Sequence, residues 1–280
     1  MTSKPRFPIN AKGYLLKILP RLLIRPSYVL VDSILRLAKI KLFDSQSNES
    51  SIIESYIEDN KISLNSLTFF EFGFGPTEFN CIGLSRAGIL GHIVDSNTQN
   101  VQNAKKILHK NTKISCAFLN RENLADYCDF ERVGIVSIDV DGNDYEFAEL
   151  TFQLCKPKLL IVEFNPSFGS HRVKVPPIKN FNRYTYHSFW HGASITALTD
   201  LAHAYNYCLL KTSENSVNAF FVPSSTLDQN CHNNLSKAID NCELSIRSKL
   251  TKLNVHEQFN IVRGFPLIYL DRSKRVCPNM

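Results

Sequence analysis

The stretch FEFGFGPT at residues 70–77 decides the fold, because it places a glycine turn directly after an apolar run and before a helix-like segment. Gly73 and Gly75 permit a tight turn and a close approach of the backbone to a ligand. The third glycine of a dinucleotide fingerprint is absent, and Glu78 falls in the first helical turn, where a pyrophosphate would need positive potential. The stretch therefore favours a cationic ligand over a phosphate. A plain strand–helix turn without any ligand stays open as the alternative.

Outward from this turn, short apolar runs alternate with helical stretches. This alternation predicts an α/β fold, a Rossmann-like doubly wound and mostly parallel sheet with a closing antiparallel hairpin. Right-handed crossovers bring the carboxyl ends of the strands to one edge, where ligands bind. The predicted strands are residues 67–72, 89–94, 114–119, 133–140 and 159–164, the helices 78–87, 97–109, 145–155 and 194–205, and the hairpin 207–212 with 219–222.

Asp95 ends the second predicted strand, twenty positions after Gly75. A carboxylate at this place accepts hydrogen bonds from both hydroxyls of a ribose. Because Ser96 and Asn97 follow and a helix begins there, the alternative is a helix cap. The glycine turn and the spacing together favour the ribose role.

Acidic side chains crowd the next two strand ends. Asp139, Asp141 and Asp144 follow the fourth strand, and Glu163 with Asn165 follows the fifth. Repulsion between carboxylates raises a pKa or recruits a cation. Asp139, Asp141, Glu163 and Asn165 together would suit an all-oxygen Mg²⁺ or Ca²⁺ site. The alternative is that these residues only form a turn and cap a helix.

The irregular stretch 166–191 follows the fifth strand and holds His171, His187, Trp190 and His191. Long loops above a rigid sheet commonly carry substrate contacts. Aromatic side chains with a few polar groups suit a sugar-like acceptor, and each histidine is a candidate general base. The sequence does not choose among them.

Positive charge is concentrated at the N-terminus. Residues 1–42 hold nine Lys or Arg and one acid, a net charge of +8, which leaves −2 of the total +6 for the rest. A basic amphipathic arm is typical of contact with an anionic membrane surface. The alternative is a helix packed on the domain with solvated lysines. Nucleic acid is not an expected partner, because aromatic interleaving and arginine clusters are missing.

The composition shifts along the chain divide it into an N-terminal arm (1–43), a Ser-rich linker (44–59), a main domain (60–223) and a C-terminal extension (224–280) with a helix at 235–253. The eight cysteines form no CxxC pair. This spacing favours reduced thiols in a cytoplasmic protein. The basic arm leads us to expect that this protein associates with the inner membrane surface. No apolar run reaches the length of a membrane span.

The main domain resembles class I S-adenosylmethionine-dependent methyltransferases, near the FkbM-type group. The resemblance covers about residues 60–223. The matching segments are EFGFG at 71–75, VD at 94–95, EN at 122–123, SIDVDGNDY at 137–145, IVEFNP at 161–166, GAS at 192–194 and NAFFV at 218–222.

This resemblance implies that the cofactor is S-adenosylmethionine, and roles follow for several strand ends. The implied contacts are Glu71, Gly73 and Gly75 at the methionine part, Asp95 at the ribose, Glu122 or Asn123 near the adenine, and Asp139 with Asp141 beside the transferred methyl. A cationic sulfonium tolerates these acids where a pyrophosphate would not.

The function that we expect is O-methylation of a sugar, a glycolipid or a small-molecule hydroxyl. Asp139, Asp141 and His191 are the candidate catalytic residues, with Asp141, Glu163 and Asn165 as candidate ligands if Mg²⁺ takes part. Two alternatives stay open: a non-catalytic methyltransferase-like binding module, and an NAD-dependent oxidoreductase. The missing third glycine and Glu78 count against the latter.

Overall fold

A computed structural model of the chain describes residues 44–129, 134–178, 181, 186–227 and 231–271, without the side chains of residues 231 and 232. The predicted N-terminal arm (1–43) lies outside these residues, so its helices and its membrane contact stay predictions.

Within the described residues, seven strands form a central sheet of order β3-β2-β1-β4-β5-β8-β7. Strands β1 to β5 are parallel, whereas β8 is antiparallel to both β5 and β7. This arrangement confirms the predicted doubly wound sheet and its closing hairpin. The strands are β1 Thr68–Phe72, β2 Leu90–Asp95, β3 Thr112–Cys116, β4 Ile135–Ile138, β5 Leu159–Glu163, β7 Tyr207–Thr212 and β8 Asn218–Pro223, while β6 Val173–Lys174 and β9 Ile268–Tyr269 form a separate two-stranded sheet.

Helices cover both faces of the large sheet. They are α1 Glu49–Asp59, α2 Ile82–Arg86, α3 Thr98–Ile107, α4 Leu124–Tyr127, α5 Asp144–Leu154, α6 Ile195–Ala204, α7 Cys231–Cys242, α8 Ile246–Thr251 and α9 Val255–Val262, with 3₁₀ turns at Leu64–Ser66, Pro166–Phe168 and Ser224–Thr226. Every residue of β4 and β5 is buried, as expected for central strands covered on both faces. One apolar cluster includes side chains of α5, α6 and α7, and a second includes side chains of α1, α2 and α3.

The segment predicted as a linker, residues 44–59, is not one. Residues 49–59 form α1, whose Ile52, Ile53, Tyr56 and Ile57 are buried in the second apolar cluster. Four apolar residues at helical spacing outweigh the polar serines around them, because their burial stabilises the helix by roughly 1.5–3 kcal/mol each. The Ser-rich composition is therefore a misleading signal for a linker here.

The C-terminal extension also differs from its prediction. The helix expected over 235–253 is divided into α7 and α8, because Ser245 caps a new helix by accepting a hydrogen bond from Ser248 N. The extension is packed on the main domain: Ala238 and Cys242 of α7 belong to the first apolar cluster. Phe259 and Val262 of α9 complete a third cluster with Phe168, Val173, Val175, Phe189 and Trp190.

Cys208 in β7 is disulfide-bonded, whereas the cysteines at 81, 116, 128, 155 and 242 are free. The expectation of reduced thiols throughout is therefore wrong at Cys208. Among the described residues, no helix combines the length and the apolar character that crossing a bilayer requires.

Candidate functional site

A crevice opens at the carboxyl edge of the sheet, above β1, β2, β4 and β5. It consists of a larger cavity of about 440 Å³ and a smaller cavity of about 110 Å³. The two cavities form one crevice, because they share the lining residues Gly73, Asp95, Ser96, Asp139 and Asp141. The glycine turn and the acidic strand ends that the sequence singled out therefore meet in one place.

Gly73 is required by the sheet itself. Its φ is +75°, and a Cβ at this position would lie 1.7 Å from the carbonyl oxygen of Asp139. The close approach at Gly73 is therefore to the backbone at the end of β4, where no side chain fits, and not to a ligand as the sequence analysis expected. Gly75 lines the crevice, and its N–H donates to Glu78 O at 3.1 Å.

Helix α3 holds the glycine turn in place. Asn100 Nδ2 donates to Phe74 O at 2.9 Å, and Asn103 Nδ2 donates to Pro76 O at 3.0 Å. Backbone carbonyls in a protein interior need such partners. Two asparagines one turn apart on a helix therefore fix the turn that borders the crevice.

Glu71 lies at the base of the crevice and is 2% exposed. Its carboxylate accepts hydrogen bonds from the N–H groups of Asn80 at 2.6 Å and Cys81 at 3.0 Å. Burial raises the pKa of Glu71 to about 7, although both backbone hydrogen bonds oppose the rise. Its charge therefore changes near neutral pH, and a cation in the crevice would favour the ionised form.

Asp95 lines both cavities of the crevice. It accepts hydrogen bonds from Phe74 N at 3.2 Å and from Asn97 N at 2.6 Å, and partial burial raises its pKa. The cap of α3 is Asn97, whose side chain accepts from the N–H groups of Gln99 and Asn100. The two roles considered for Asp95 thus belong to two residues. Asn97 caps the helix, and the carboxylate of Asp95 lines the crevice.

Asp139, Asp141 and Glu163 converge at the far side of the crevice. Each offers a carboxylate oxygen, and these oxygens lie within 4.8 Å of one another. Asp144 supports them without lining the crevice: its fully buried carboxylate accepts from the N–H groups of Val140 and Gly142, each at 2.8 Å. Burial, followed by the repulsion of Glu163, raises the pKa of Asp144.

Asn165 does not join this acidic group in the way that the metal prediction required. Its Nδ2 donates to the carbonyl oxygens of Phe189 at 2.6 Å and His191 at 2.9 Å, and its Oδ1 accepts from Ser167 N at 3.0 Å. The side chain is buried and holds the loop after β5 in place. Because these bonds occupy both ends of the amide, a metal ligand role would have to break them.

His191 is buried and does not line either cavity of the crevice. Its Nε2 lies 2.8 Å from Nη1 of Arg247, a residue of α8. Since a guanidinium only donates, Nε2 is the acceptor and the ring proton sits on Nδ1. This placement contradicts a role for His191 as the general base in the crevice.

Trp190 and His171 of the loop 166–191 also differ from their expected roles, whereas Phe181 of the same loop lines the smaller cavity of the crevice. Trp190 is fully buried and its Nε1 donates to Pro266 O, and the His171 ring stacks on Phe259 at 3.7 Å. Trp190 and His171 pack against the C-terminal extension, so they stabilise the loop and do not line the crevice.

Glu122 and Asn123, expected near an adenine, do not line the crevice either. Glu122 is exposed, and Asn123 Oδ1 accepts from Asn120 N at 2.8 Å in a local turn. The segment after β3 that borders the smaller cavity is 117–119, where Phe118 is 47% exposed. An apolar wall thus replaces the predicted polar contact.

Sequence reasoning does not find two further residues of the crevice. Gln46 lines the larger cavity from the segment predicted as a linker, and Asn100 lines it from α3. Neither stands at the end of a predicted strand, so only the tertiary structure shows their position. The spacing of Asn100 from the cap at Asn97 is a usable signal for the first turn of a helix above the crevice.

Negative charge dominates the crevice. Its larger cavity is lined by six carboxylates and, among the described residues, by no Lys, Arg or His. The six are Glu71, Glu78, Asp95, Asp139, Asp141 and Glu163. A phosphate or pyrophosphate would be repelled at every side, whereas a ligand with positive charge would be attracted.

The sequence matches no protein-family model and no curated protein. Among solved structures, it is similar to "a putative hemolysin from Lactococcus lactis" at 14% identity, over 69% of this chain and 97% of that chain with a TM-score of 0.44. It is similar to magnesium protoporphyrin IX methyltransferase from Synechocystis PCC 6803 with bound SAM at 16% identity, over 63% and 78% with a TM-score of 0.39. A third similar structure is the N-terminal domain of EvdMO1 in the presence of SAH and D-fucose, at 11% identity, over 63% and 82% with a TM-score of 0.42.

The order of the strands, with β8 antiparallel between β5 and β7, defines an α/β protein with a doubly wound sheet of the Rossmann type. An acid-lined crevice at the switch point between β1 and β4 is the site where such a sheet binds ligands.

Proposed function

We propose that this chain is an S-adenosylmethionine-dependent methyltransferase of FkbM type that methylates a hydroxyl group. The observation that carries the proposal is the charge of the crevice, six carboxylates and no cationic side chain among its described lining residues. This acidic lining fits S-adenosylmethionine, which carries a sulfonium and an ammonium group against one carboxylate, and no phosphate. It does not fit NAD, whose pyrophosphate would meet Glu78 at the glycine turn.

Different residues of the crevice would bind different parts of the cofactor. Asp95, at the end of β2, is placed to accept hydrogen bonds from ribose hydroxyls. Glu71, Asp139 and Glu163 supply negative potential for the cationic groups of the ligand. When bound, the cofactor supplies an electrophilic methyl group. The rigid strand ends hold it in one orientation, and alignment of this kind supplies most of the acceleration in such a displacement.

An oxygen acceptor has to lose its proton during the transfer. Asp139 and Asp141 are the proposed groups that take it, because they line both cavities of the crevice. The acceptor class that we propose is a sugar, a glycolipid or another small molecule with a hydroxyl. We also propose that Mg²⁺ can bind in the crevice, because the oxygens of Asp139, Asp141 and Glu163 are close enough to share one cation. Methyl transfer does not depend on this part of the proposal.

Calorimetry with S-adenosylhomocysteine tests the binding step. The unaltered chain should bind the ligand, and Asp95→Ala should weaken binding by roughly a hundredfold or more, because a charged hydrogen-bond acceptor is lost from a buried contact. Asp59→Ala is the matched control, since Asp59 is an exposed acid at the end of α1 and should leave the affinity unchanged.

The same assay separates the alternatives. Absence of binding at millimolar S-adenosylhomocysteine would contradict the proposal and favour a non-catalytic binding module. Binding of NADH, followed by its fluorescence, would favour an oxidoreductase. Transfer of the labelled methyl group in the presence of EDTA would show that the reaction needs no divalent cation.

A further inference from the structure

In helix α8 and the two residues before it, serine side chains are buried and large apolar side chains are exposed. Ser245 and Ser248 are buried, at 0% and 8% exposure, whereas Leu244, Ile246 and Leu250 are exposed at 58%, 44% and 77%. Leu250 is the most exposed of the large apolar side chains in the described residues. Ile246 and Leu250 lie one turn apart on the same face of the helix. This arrangement is the reverse of the pattern that folding alone would favour.

The helix is held firmly in this orientation. Ser245 Oγ lies 3.1 Å from Ser248 Oγ, and Gln258 Nε2 donates to Ser248 Oγ at 2.9 Å. Gln258 is itself fully buried, and its Oε1 accepts from Ser167 Oγ at 2.8 Å. A network of satisfied polar groups beneath α8 therefore fixes its apolar side toward solvent.

Positive charge accompanies the exposed aliphatic side chains. Lys249 and Lys252 are exposed next to Leu250, and their charges stand at the same end of the helix. Apolar side chains flanked by lysines suit the headgroup region of an anionic membrane, where aliphatic groups insert and cations meet lipid phosphates. We call residues 244–252 the α8 patch.

The α8 patch lies at the same edge of the sheet as the crevice. Ile246 N donates to Asn215 O at 3.5 Å, and Asn215 Nδ2 donates to Oε1 of Gln46, which lines the crevice, at 3.2 Å. From the other side of α8, Arg247 reaches Asn165 Oδ1 at 3.4 Å, two residues beyond the crevice residue Glu163. Docking of this patch on a bilayer would therefore bring the carboxyl edge of the sheet close to the membrane surface.

We propose that the α8 patch is a docking surface for an anionic membrane, and that the acceptor is a hydroxyl compound anchored in that membrane. The acceptor class rests on the proposed methyl transfer, whereas the docking does not. The patch is distinct from the basic arm, so the protein has a membrane contact in its folded body. A soluble acceptor would need no such surface beside the crevice.

Fluorescence of an inserted tryptophan tests the docking. The only native tryptophan, Trp190, is fully buried, so its emission gives a constant background. In the full chain, Leu250→Trp should shift to the blue and be quenched by brominated lipid in vesicles of phosphatidylcholine and phosphatidylglycerol. Leu90→Trp is the control, because Leu90 is 63% exposed at the opposite, amino end of β2 and should not be quenched. Absence of quenching at position 250 would overturn the proposal.

Sedimentation with the same vesicles gives a second measurement. The triple variant Leu244→Ser, Ile246→Ser, Leu250→Ser should partition roughly tenfold more weakly than the unaltered chain, because three inserted aliphatic side chains are lost. The control is the triple variant Leu64→Ser, Leu90→Ser, Leu154→Ser. These three side chains are exposed outside the α8 patch, so the control should partition like the unaltered chain. Lys249→Gln with Lys252→Gln should weaken binding at low salt and have no effect at high salt.

Three further results would distinguish membrane docking from dimerisation and from a failure of the proposed function. Equal sedimentation of the patch variant and the unaltered chain would overturn the proposal. So would a dimer in analytical ultracentrifugation that the patch variant loses, because the patch would then be a contact between two copies. Calorimetry with S-adenosylhomocysteine on the patch variant should match the unaltered chain. If neither binds the cofactor product, the proposed function fails while the quenching result still decides the membrane contact.

Discussion

At the scale of single residues, the buried carboxyl of Glu71 makes the free energy of unfolding depend on pH. Its pKa rises from an ordinary 4.5 to about 7 because the carboxyl is buried. Between these two values the folded protein keeps a proton that the unfolded chain has lost. The free energy of unfolding therefore falls as the pH rises through this range and is greatest below it.

Glu71→Gln removes this dependence. Between pH 4.5 and pH 8 the unaltered chain should lose up to about 3 kcal/mol, since each unit of pKa is worth about 1.4 kcal/mol, and the unliganded variant should lose none of this. Near pH 4 the variant should be less stable than the unaltered chain, because its NH₂ group would face the N–H of Asn80 or Cys81. Urea unfolding at several pH values measures the effect, with the exposed Glu58→Gln as the control. Parallel curves for Glu71→Gln and the unaltered chain would contradict the assigned pKa.

Gly73 gives the second prediction at this scale. Alanine there would combine a positive φ with a Cβ 1.7 Å from the Asp139 carbonyl oxygen. Because that oxygen belongs to backbone at the end of β4, the clash cannot be relieved by a side-chain rotation. We expect Gly73→Ala to lower the free energy of unfolding by roughly 3 kcal/mol or more. A matched Gly264→Ala, where a Cβ meets nothing within 4 Å, should change stability little.

At the scale of elements, helix α3 gives a prediction about the glycine turn. Asn100→Ala with Asn103→Ala removes the hydrogen bonds to Phe74 O and Pro76 O without emptying the core. If the proposed function holds, we expect S-adenosylhomocysteine affinity to fall roughly tenfold, because the turn loses its fixed position. Asn111→Ala is the matched control: its Nδ2 also bonds a backbone carbonyl, Gly88 O at 2.7 Å, away from the crevice. Equal affinity of the two variants for S-adenosylhomocysteine would show that the hydrogen bonds from Asn100 and Asn103 to the glycine turn do not contribute to binding.

The elements also show how far the sequence could predict the structure. Period and turn residues are sufficient for the central strands of the sheet, because β4 and β5 are buried, mainly apolar runs with acids at their ends. They place β3 two to three residues too late, since this strand is largely polar. They fail at α1, where serines conceal four buried apolar positions. They also fail for His191, since its partner Arg247 lies 56 positions further along the chain. Contacts of this kind depend on tertiary packing, which no local pattern records.

The crevice shows the same limit. Strand ends in parallel register meet at one edge, so topology alone is enough to bring Glu71, Asp95 and Asp139 together. It is not enough for the wall provided by Gln46, because the path of residues 44–48 depends on hydrogen bonds such as Asn48 Oδ1 with Glu214 N at 3.0 Å. This bond joins residues that are 166 positions apart in the sequence.

At the scale of the whole molecule, the basic arm and the folded body can be tested separately. Deleting residues 1–42 should leave S-adenosylhomocysteine affinity unchanged and reduce sedimentation with anionic vesicles, because a net charge of +8 is lost. Vesicle sedimentation at two salt concentrations measures this. Equal sedimentation of both forms would remove the arm as a membrane contact and leave the α8 patch as the proposed one.

A longer deletion decides where the folded unit begins. Removing residues 1–59 also removes α1, and with it Ile53, buried to 1% exposure, and the hydrogen bond from Tyr56 Oη to Lys158 O at 2.7 Å. The four apolar side chains of α1 contribute roughly 6–12 kcal/mol by burial, which is comparable with the whole stability of a domain. We therefore expect the chain 60–280 to lose its cooperative thermal transition, while the chain 43–280 keeps it. Circular dichroism of both forms makes the comparison. A cooperative transition at the same temperature in the shorter form would show that the domain does begin at residue 60 and that α1 is only an accessory to the sheet.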